Sequence, residues 1–349
     1  MQFSLAKYNK IASKSGPNMN LTVIIPSYNS ADVMEKCLTS LLNQKGNKAG
    51  DHFEIIVVDD GSTDKTVEIA HRFPVTVVTL VKNQGRIVAR LAGAKAATTK
   101  KILFIDTRVT LPENFLISLE EFKNKAAVIG ETHSPENKYH SLFDTVFYLV
   151  RRKYYGKNMF PLKDLELQIT RENFKRAPKG TAVLFIDREL FIKLTPNRID
   201  RNVNDDTLLF HNLVDRENIP LLRTKKLFFN YSQRVNLKKF IPWLFDRGTR
   251  FADFYFRPKG YLFIPFIVII FLLFGNSIGI IVSFKYYPEF SLFLFVLPIT
   301  AFIGVAIYLS ENIRDLFTLL LVFPFILFVF SAGVCKYFVL SIRSFFQRS

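Results

Sequence analysis

Several apolar runs in this chain end on acidic residues. FEIIVVDDGSTD (53–64) delivers Asp59, Asp60 and Asp64 around Gly61, and KILFID (101–106) delivers Asp106, followed by Thr107 and Arg108. LTVIIPSYN (21–29) ends on Pro26, Ser27, Tyr28 and Asn29, and NVNDDTLLFHNLVDR (202–216) carries the pair Asp205–Asp206. Carboxylates accept hydrogen bonds from hydroxyls and amides, ligate hard cations and take protons in general base catalysis. Two adjacent carboxylates at the end of an apolar strand repel each other unless a partner offsets the cost. NQGRIVARLAGAKAA (83–97) supplies Gly85, Arg86 and Arg90. The two arginines are four residues apart, on one helical face near a helix start, an arrangement that suits phosphates. The plain alternatives are acidic groups favouring a helix macrodipole, a capping Asp pair, and a solvated basic face.

The elements that must position these groups alternate between strand and helix. Runs 21–29, 53–60, 75–81 and 101–106 are continuous apolar strands. Helices are expected at about 31–43, up to about Arg72 with Ser62 or Thr63 as cap, over 86–98, and from Pro112 onward. Continuous rather than alternating apolar strands indicate a mostly parallel sheet covered by helices on both faces. Ligands of such sheets bind beyond the carboxyl ends of the strands, where the polar clusters would share one rim. After 131 the pattern loosens: 141–156 reads as an amphipathic helix with a basic end, 181–194 as strand, turn and helix, and 202–216 as a helix with acidic residues in its first turn.

PSYN at 26–29, VDDGSTD at 58–64, strand-final Asp106 and the pair at 205–206, in that order, resemble the inverting family-two glycosyltransferases of the nucleotide-sugar (GT-A) fold. The resemblance spans roughly 20–215. It implies an α/β, Rossmann-like nucleotide-sugar domain in which Asp59, Asp60 and Asp64 hydrogen-bond the base and ribose, with Pro26, Tyr28 and Asn29 packing beside the base. Gly85, Arg86 and Arg90 would face the diphosphate. The family's D-x-D position here reads Asp106-Thr107-Arg108. Either Asp106 alone holds a divalent cation (Mg²⁺ or Mn²⁺), with diphosphate and water as further ligands, or Arg108 partly replaces the metal. Asp206 corresponds to the family's base, supported by Asp205, with like charge nearby expected to raise its pKa.

Hydrophobicity is unevenly spread in this 349-residue chain of net charge +17. The stretches 261–284, 290–310 and 316–335 carry no charge, and each is long enough to span hydrocarbon as a helix. From Arg223 to Lys259, ten Lys or Arg face two Asp, a basic block directly before the first apolar run. That placement suits the cytoplasmic face of a membrane rather than nucleic acid, for which no binding module is present. The expected organisation is a flexible arm (1–20), a GT-A domain (21–222), a basic amphipathic interfacial segment (223–260), a transmembrane region of three to four helical segments (261–342) and a tail (343–349). Within 237–256, Pro242 and Gly248 predict two short helices lying in the headgroup region, with packing in a helical bundle as the alternative. Gly275 and Gly279 leave open a hairpin within 261–284, and 336–349 could turn along the surface. No secretory signal opens the chain, and Cys37 and Cys335 are too far apart in kind to predict a disulfide.

These features together predict a membrane-anchored inverting glycosyltransferase with its catalytic domain in the cytoplasm, most naturally at a bacterial inner membrane. It would move a sugar from a nucleotide-diphosphate sugar to a lipid-linked or envelope-glycan acceptor, with membrane lipids as further partners. A polyprenyl-phosphate glycosyl synthase is the alternative enzyme, and a catalytically inactive glycosyltransferase-like subunit of a membrane complex the alternative from another class. YSQRVNLKKF (231–240) lacks the Q-x-x-R-W of processive synthases.

Overall fold

The computed structural model describes residues 20–46, 53–132, 141–158, 166–195, 205–232, 237–256 and 262–346. The arm expected over 1–20 lies, but for Asn20, outside them. The chain forms two compact units: Met1–Ser134 with Lys157–Gln233, and Pro135–Gly156 with Arg234–Ser349.

In the first unit, strands β1 (Leu21–Ser27), β2 (Phe53–Asp59), β3 (Thr76–Thr79) and β4 (Lys101–Ile105) pair in parallel in the order β3-β2-β1-β4. Their residues are apolar on both faces because both faces are covered: Val23, Ile24 and Ile25 are all fully buried. Helices α1 (Ala31–Leu42), α2 (Thr66–Ala70) and α3 (Arg86–Ala96) follow β1, β2 and β3. Helix α1 turns Met34, Cys37, Leu38 and Leu41 inward at helical spacing, each such burial contributing about 1.5–3 kcal/mol for the larger side chains. Beyond β4 the sheet becomes mixed. It continues through β8 (Val183–Asp187), antiparallel to both β4 and β6 (Ala127–Thr132), then to β9 (Leu221–Tyr231), which pairs with β6, β5 (Val109–Thr110) and β7 (Glu166–Ile169). Helix α4 (Phe115–Glu120) precedes β6, α6 (Arg188–Leu194) follows β8, and α7 (Asp205–His211) precedes β9.

Strand β9 corrects the boundary expected at 222. Part of the basic block after Arg223 belongs to the sheet, where Arg223 pairs with Glu131 in the interior and Lys226 with Glu121 at 2.6 Å. Residues 142–155, expected within the catalytic domain, form α5 (Leu142–Tyr155) of the second unit.

The second unit is helical: α5, α8 (Leu237–Tyr255), α9 (Phe263–Ser283), α10 (Pro288–Leu309) and α11 (Ile313–Phe346). Among the described residues, α10 and the Ile313–Ser341 part of α11 are long and apolar enough to cross a membrane. Helix α9 runs unbroken through Gly275 and Gly279, so the hairpin left open there does not form. Nor does 237–256 split in two. Pro242 falls early in α8, where its missing N–H forgoes one bond to the first turn. Gly248 is required by packing instead: a Cβ there would overlap the carbonyl oxygen of Phe330 on α11, and one at Gly333 would overlap that of Phe245. The helices cross backbone to backbone at these two positions, and Thr249 Oγ1 donates to Gly333 O at 2.8 Å. Gly248→Ala or Gly333→Ala is therefore expected to cost about 1–3 kcal/mol, read as earlier thermal unfolding of the detergent-purified chain. Gly275→Ala meets nothing within 4 Å and is expected to leave the transition unchanged or raise it.

Candidate functional site: a rim of paired carboxylates

Because β1, β2 and β4 are parallel neighbours with Ser27 opposite Asp59, their carboxyl ends form one rim, and the loops leaving it carry most of the expected residues. The rim is tied together by those same side chains. Both Asp59 oxygens accept from Ser62 N (3.1 and 3.2 Å), closing the turn in which Gly61 takes φ 73°. A side chain at Gly61 would meet the backbone of Lys82 at 2.7 Å, so this loop lies directly against the next one. Asp60 binds that second loop, accepting from Gln84 N and Gly85 N, both at 2.8 Å. Gly85 then opens α3 with φ 101°. Partnered in this way, the two adjacent carboxylates are buried, 1% and 3% exposed, without isolation of either charge.

Asn29, at φ 47°, joins the first and second loops: its N–H donates to Ser62 Oγ (2.9 Å) and its Oδ1 accepts from Thr63 N (2.8 Å). Ser62 and Thr63 thus bind Asn29 rather than capping α2, contrary to expectation. Asp64 accepts from Ala31 N at 3.1 Å and Thr66 N at 3.0 Å. Burial pushes its carboxyl up, but the hydrogen bonds from Thr66 and Ala31 outweigh this and hold it below the usual carboxylate value. Pro26 lies in β1, and Tyr28 stands 41% exposed on the rim.

Asp206 is the residue whose surroundings differ most from expectation. Like charge was anticipated; instead both oxygens accept from guanidinium groups of α3. Arg86 Nη2 lies 2.5 Å from Oδ2 and Arg90 Nη1 2.6 Å from Oδ1. The two arginines share one helix face, as their spacing required, but that face meets a carboxylate. Arg90, 1% exposed, also donates through Nη2 to Thr181 O at 2.9 Å and lies over the Phe104 ring at 5.5 Å. Buried and engaged on several sides, Arg90 ties Asp206, Thr181 and Phe104 together instead of standing open at the helix start. Arg86 is 39% exposed at the helix start. Asp205 opens α7, but its side chain lies outside the described residues.

Asp106 joins the same assembly. Its N–H donates to Ala182 O at 2.8 Å, one residue beyond the carbonyl that receives Arg90, and its Oδ1 accepts from Arg108 N at 3.0 Å. Thr107 Oγ1 donates to Ser30 Oγ at 3.1 Å, and Arg108 Nη1 reaches Ser232 O at 3.5 Å. Among the described residues no three His, Cys, Asp or Glu side chains gather as a metal site. One carboxylate whose Oδ2 has no hydrogen-bond partner among the described residues still fits a divalent cation of the Mg²⁺ or Mn²⁺ kind, which takes one or two protein carboxylates and fills its shell with phosphate and water.

The 174–181 segment has no place in the sequence reading. Lys179, its ammonium pushed down to about 8 by burial, donates to Ala177 O at 2.7 Å and Phe174 O, fixing the turn that presents Thr181 to Arg90. The Pro178-Lys179-Gly180 sequence is the one local signal of that turn. Both cysteines are free, as expected; burial pushes the Cys37 thiol well above its ordinary value.

Comparison with known proteins follows the same lines. Residues 22–169 match the profile of Glycosyl transferase family 2. The poly(ribitol-phosphate) beta-glucosyltransferase of Bacillus spizizenii is 36% identical over 95 residues, 26% of this chain and 15% of that protein. The human dolichyl-phosphate beta-glucosyltransferase is 35% identical over 101 residues, 26% of this chain and 31% of that one. The chain thus spans less than a third of either curated relative. A mannosyltransferase from Pyrobaculum calidifontis, solved with GDP-Man and Mn²⁺, superposes with a TM-score of 0.56 over 97% of this chain and 90% of its own, at 17% identity, a likeness of fold alone. Residues 22–169 are thus similar to family-two glycosyltransferases, and the fold is of the GT-A kind.

Proposed function

We propose that this chain is a membrane-associated inverting glycosyltransferase. It takes a sugar from a nucleotide-diphosphate sugar and passes it to a lipid-linked or envelope-glycan acceptor at the cytoplasmic face of a membrane. The observation that carries this reading is the convergence of Asp60, Asp206 and Asp106 on one rim. Asp60 holds Gly85, the next residue Arg86 holds Asp206, and Arg90 links Asp206 to the strand end that pairs with Asp106.

On this reading the base and ribose lie against Tyr28 and the loops fastened by Asp59, Asp60 and Asp64. The diphosphate faces the start of α3, where the helix dipole and the Arg86 guanidinium favour an anion. Asp206 takes the proton of the acceptor hydroxyl as its oxygen bonds to the anomeric carbon. The bond to the diphosphate breaks on the opposite face, which inverts the centre. Arg86 leaves Asp206 Oδ2 for the arriving diphosphate, a cheap exchange because a part-exposed pair is worth about 0–1 kcal/mol. Asp106 would hold the cation, which when bound offsets charge on the departing diphosphate.

One observation favours the second enzyme reading, a synthase loading a single sugar onto polyprenyl phosphate. Both Asp206 oxygens are occupied, and an ionised phosphate acceptor requires no base. The dolichyl-phosphate relative points the same way.

A thermal-shift screen of nucleotide sugars with and without Mn²⁺ tests donor and cation together; no stabilisation by any nucleotide would count against both readings. Arg108→Asp, which restores a second carboxylate, is expected to tighten Mn²⁺ binding in the presence of UDP or GDP by roughly tenfold, measured by calorimetry. An unchanged affinity would show that this position does not face the cation.

A further inference from the structure

Composition passes α11 as a membrane span, but its packing argues otherwise. We infer that only α9 and α10 cross the bilayer, and that α11 lies along the membrane surface with α5 and α8, its outer apolar stripe in the headgroup layer. The inference rests on the membrane association proposed above.

Two sets of contacts carry it. Around the turn into α11, Arg152 of α5 reaches Glu311 between α10 and α11 at 2.7 Å, Lys153 lies over Tyr308 at the end of α10, and Phe143 meets Phe325 within α11. At its other end, Gly333 is crossed by Gly248 of α8, Phe330 meets Phe251, and Lys336 reaches Asp246 at 3.5 Å. From Ile313, two residues past Glu311, to Lys336 the helix rises about 35 Å, more than the thickness of the hydrocarbon core. Helices α5 and α8 both precede the first apolar run, so no crossing separates them in the chain, and Phe143 and Phe147 of α5 pack on Phe240 and Trp243 of α8. Elements from one side of the bilayer therefore touch the chain from Glu311, just before α11, to Lys336 within it. Were α11 to cross, α8 would carry Asp246, Arg247, Arg250 and Asp253 through hydrocarbon beside it.

Helix α9 pairs with α10 instead. It packs on α10 through Asn276 Nδ2 to Leu294 O (3.2 Å) and Ser291 Oγ to Ile280 O (3.1 Å), and both helices expose Phe, Leu and Ile along their lengths. Helix α11 exposes a single stripe, including Phe317, Leu321, Phe328 and Val339, opposite the face that buries Leu319, Val322, Ile326 and Val329. The exposed stripe is left for the lipid boundary, while the opposite face packs in the bundle with α5 and α8. Two crossings also return Arg343 and Arg348 to the side of the basic block, where positive charge belongs; three would put them across the membrane.

Single cysteines in the full chain, with Cys37→Ala and Cys335→Ala, read the sidedness. Lys238→Cys precedes α9, Tyr286→Cys lies between α9 and α10, and Gln347→Cys follows α11. Right-side-out and inverted vesicles are treated with a membrane-impermeant maleimide. The expected result is Lys238→Cys and Gln347→Cys labelled from one face and Tyr286→Cys from the other. Gln347→Cys labelled with Tyr286→Cys overturns the inference, as does labelling of Tyr286→Cys from the Lys238 side or a Gln347→Cys that neither face reaches. Sugar transfer assayed on the same vesicles reports separately on the glycosyltransferase reading.

Discussion

Asp206→Asn is expected to lower sugar transfer by about 10²–10⁴-fold, the range a positioned base contributes, while nucleotide affinity stays within a few-fold of wild type. The substitution keeps the size of the side chain and leaves an amide oxygen that still accepts from Arg90 Nη1, so the clamp loses charge but not geometry. What disappears is the capacity to take a proton. Transfer is followed as release of nucleoside diphosphate, and donor binding as thermal stabilisation by the same nucleotide. If transfer to a hydroxyl acceptor continues at wild-type rate, Asp206 is not the base. If the variant glycosylates a polyprenyl phosphate unimpaired, the synthase reading replaces the first. If transfer and nucleotide binding fall together, Asp206 acts through the shape of the crevice, because Arg86 and Asp60 join it to the nucleotide loops.

The parallel core was legible because burial on both faces forces strands to be apolar throughout, and 21–27, 53–59 and 101–105 read that way without ambiguity. The rim followed from it, since a parallel sheet presents every carboxyl end on one side. The partners of the rim acids were not legible. Arg86 and Arg90 lie 120 and 116 residues from Asp206, and two arginines on one helical face look the same whether they await a phosphate or hold a carboxylate. The basic block misled for a related reason. Charge counted along a chain does not distinguish Arg223, paired to Glu131 inside the sheet, from residues on a membrane face. Helix α8 was read as broken because Pro and Gly are local signals, whereas the reason for Gly248 is Gly333, 85 positions away in a different helix. Local rules fail where a long-range contact supplies the cause.

Arg90→Met should be the most destabilising change in the sheet unit that leaves its apolar core intact. Arg90 is 1% exposed and answers three groups: Asp206 Oδ1, Thr181 O and the Phe104 ring. Removing the guanidinium leaves a carboxylate only 17% exposed with Arg86 as its described charged partner, and a carbonyl without its donor. Breaking one side of such a pair costs about 3–5 kcal/mol; the lower end applies here because Arg86 remains. For a unit of this size about 3 kcal/mol lowers the unfolding temperature by roughly 6–12 °C. Arg86→Gln, at a part-exposed pair, should cost under about 1 kcal/mol yet weaken nucleotide binding. Combining Arg90→Met with Asp206→Asn separates the pair from simple loss of packing: the double variant should be destabilised by less than the sum of the two, because neither then strands a charge. Additive losses, or an Arg90→Met protein that melts with wild type, would mean that the carboxylate is held in place by something other than this arginine.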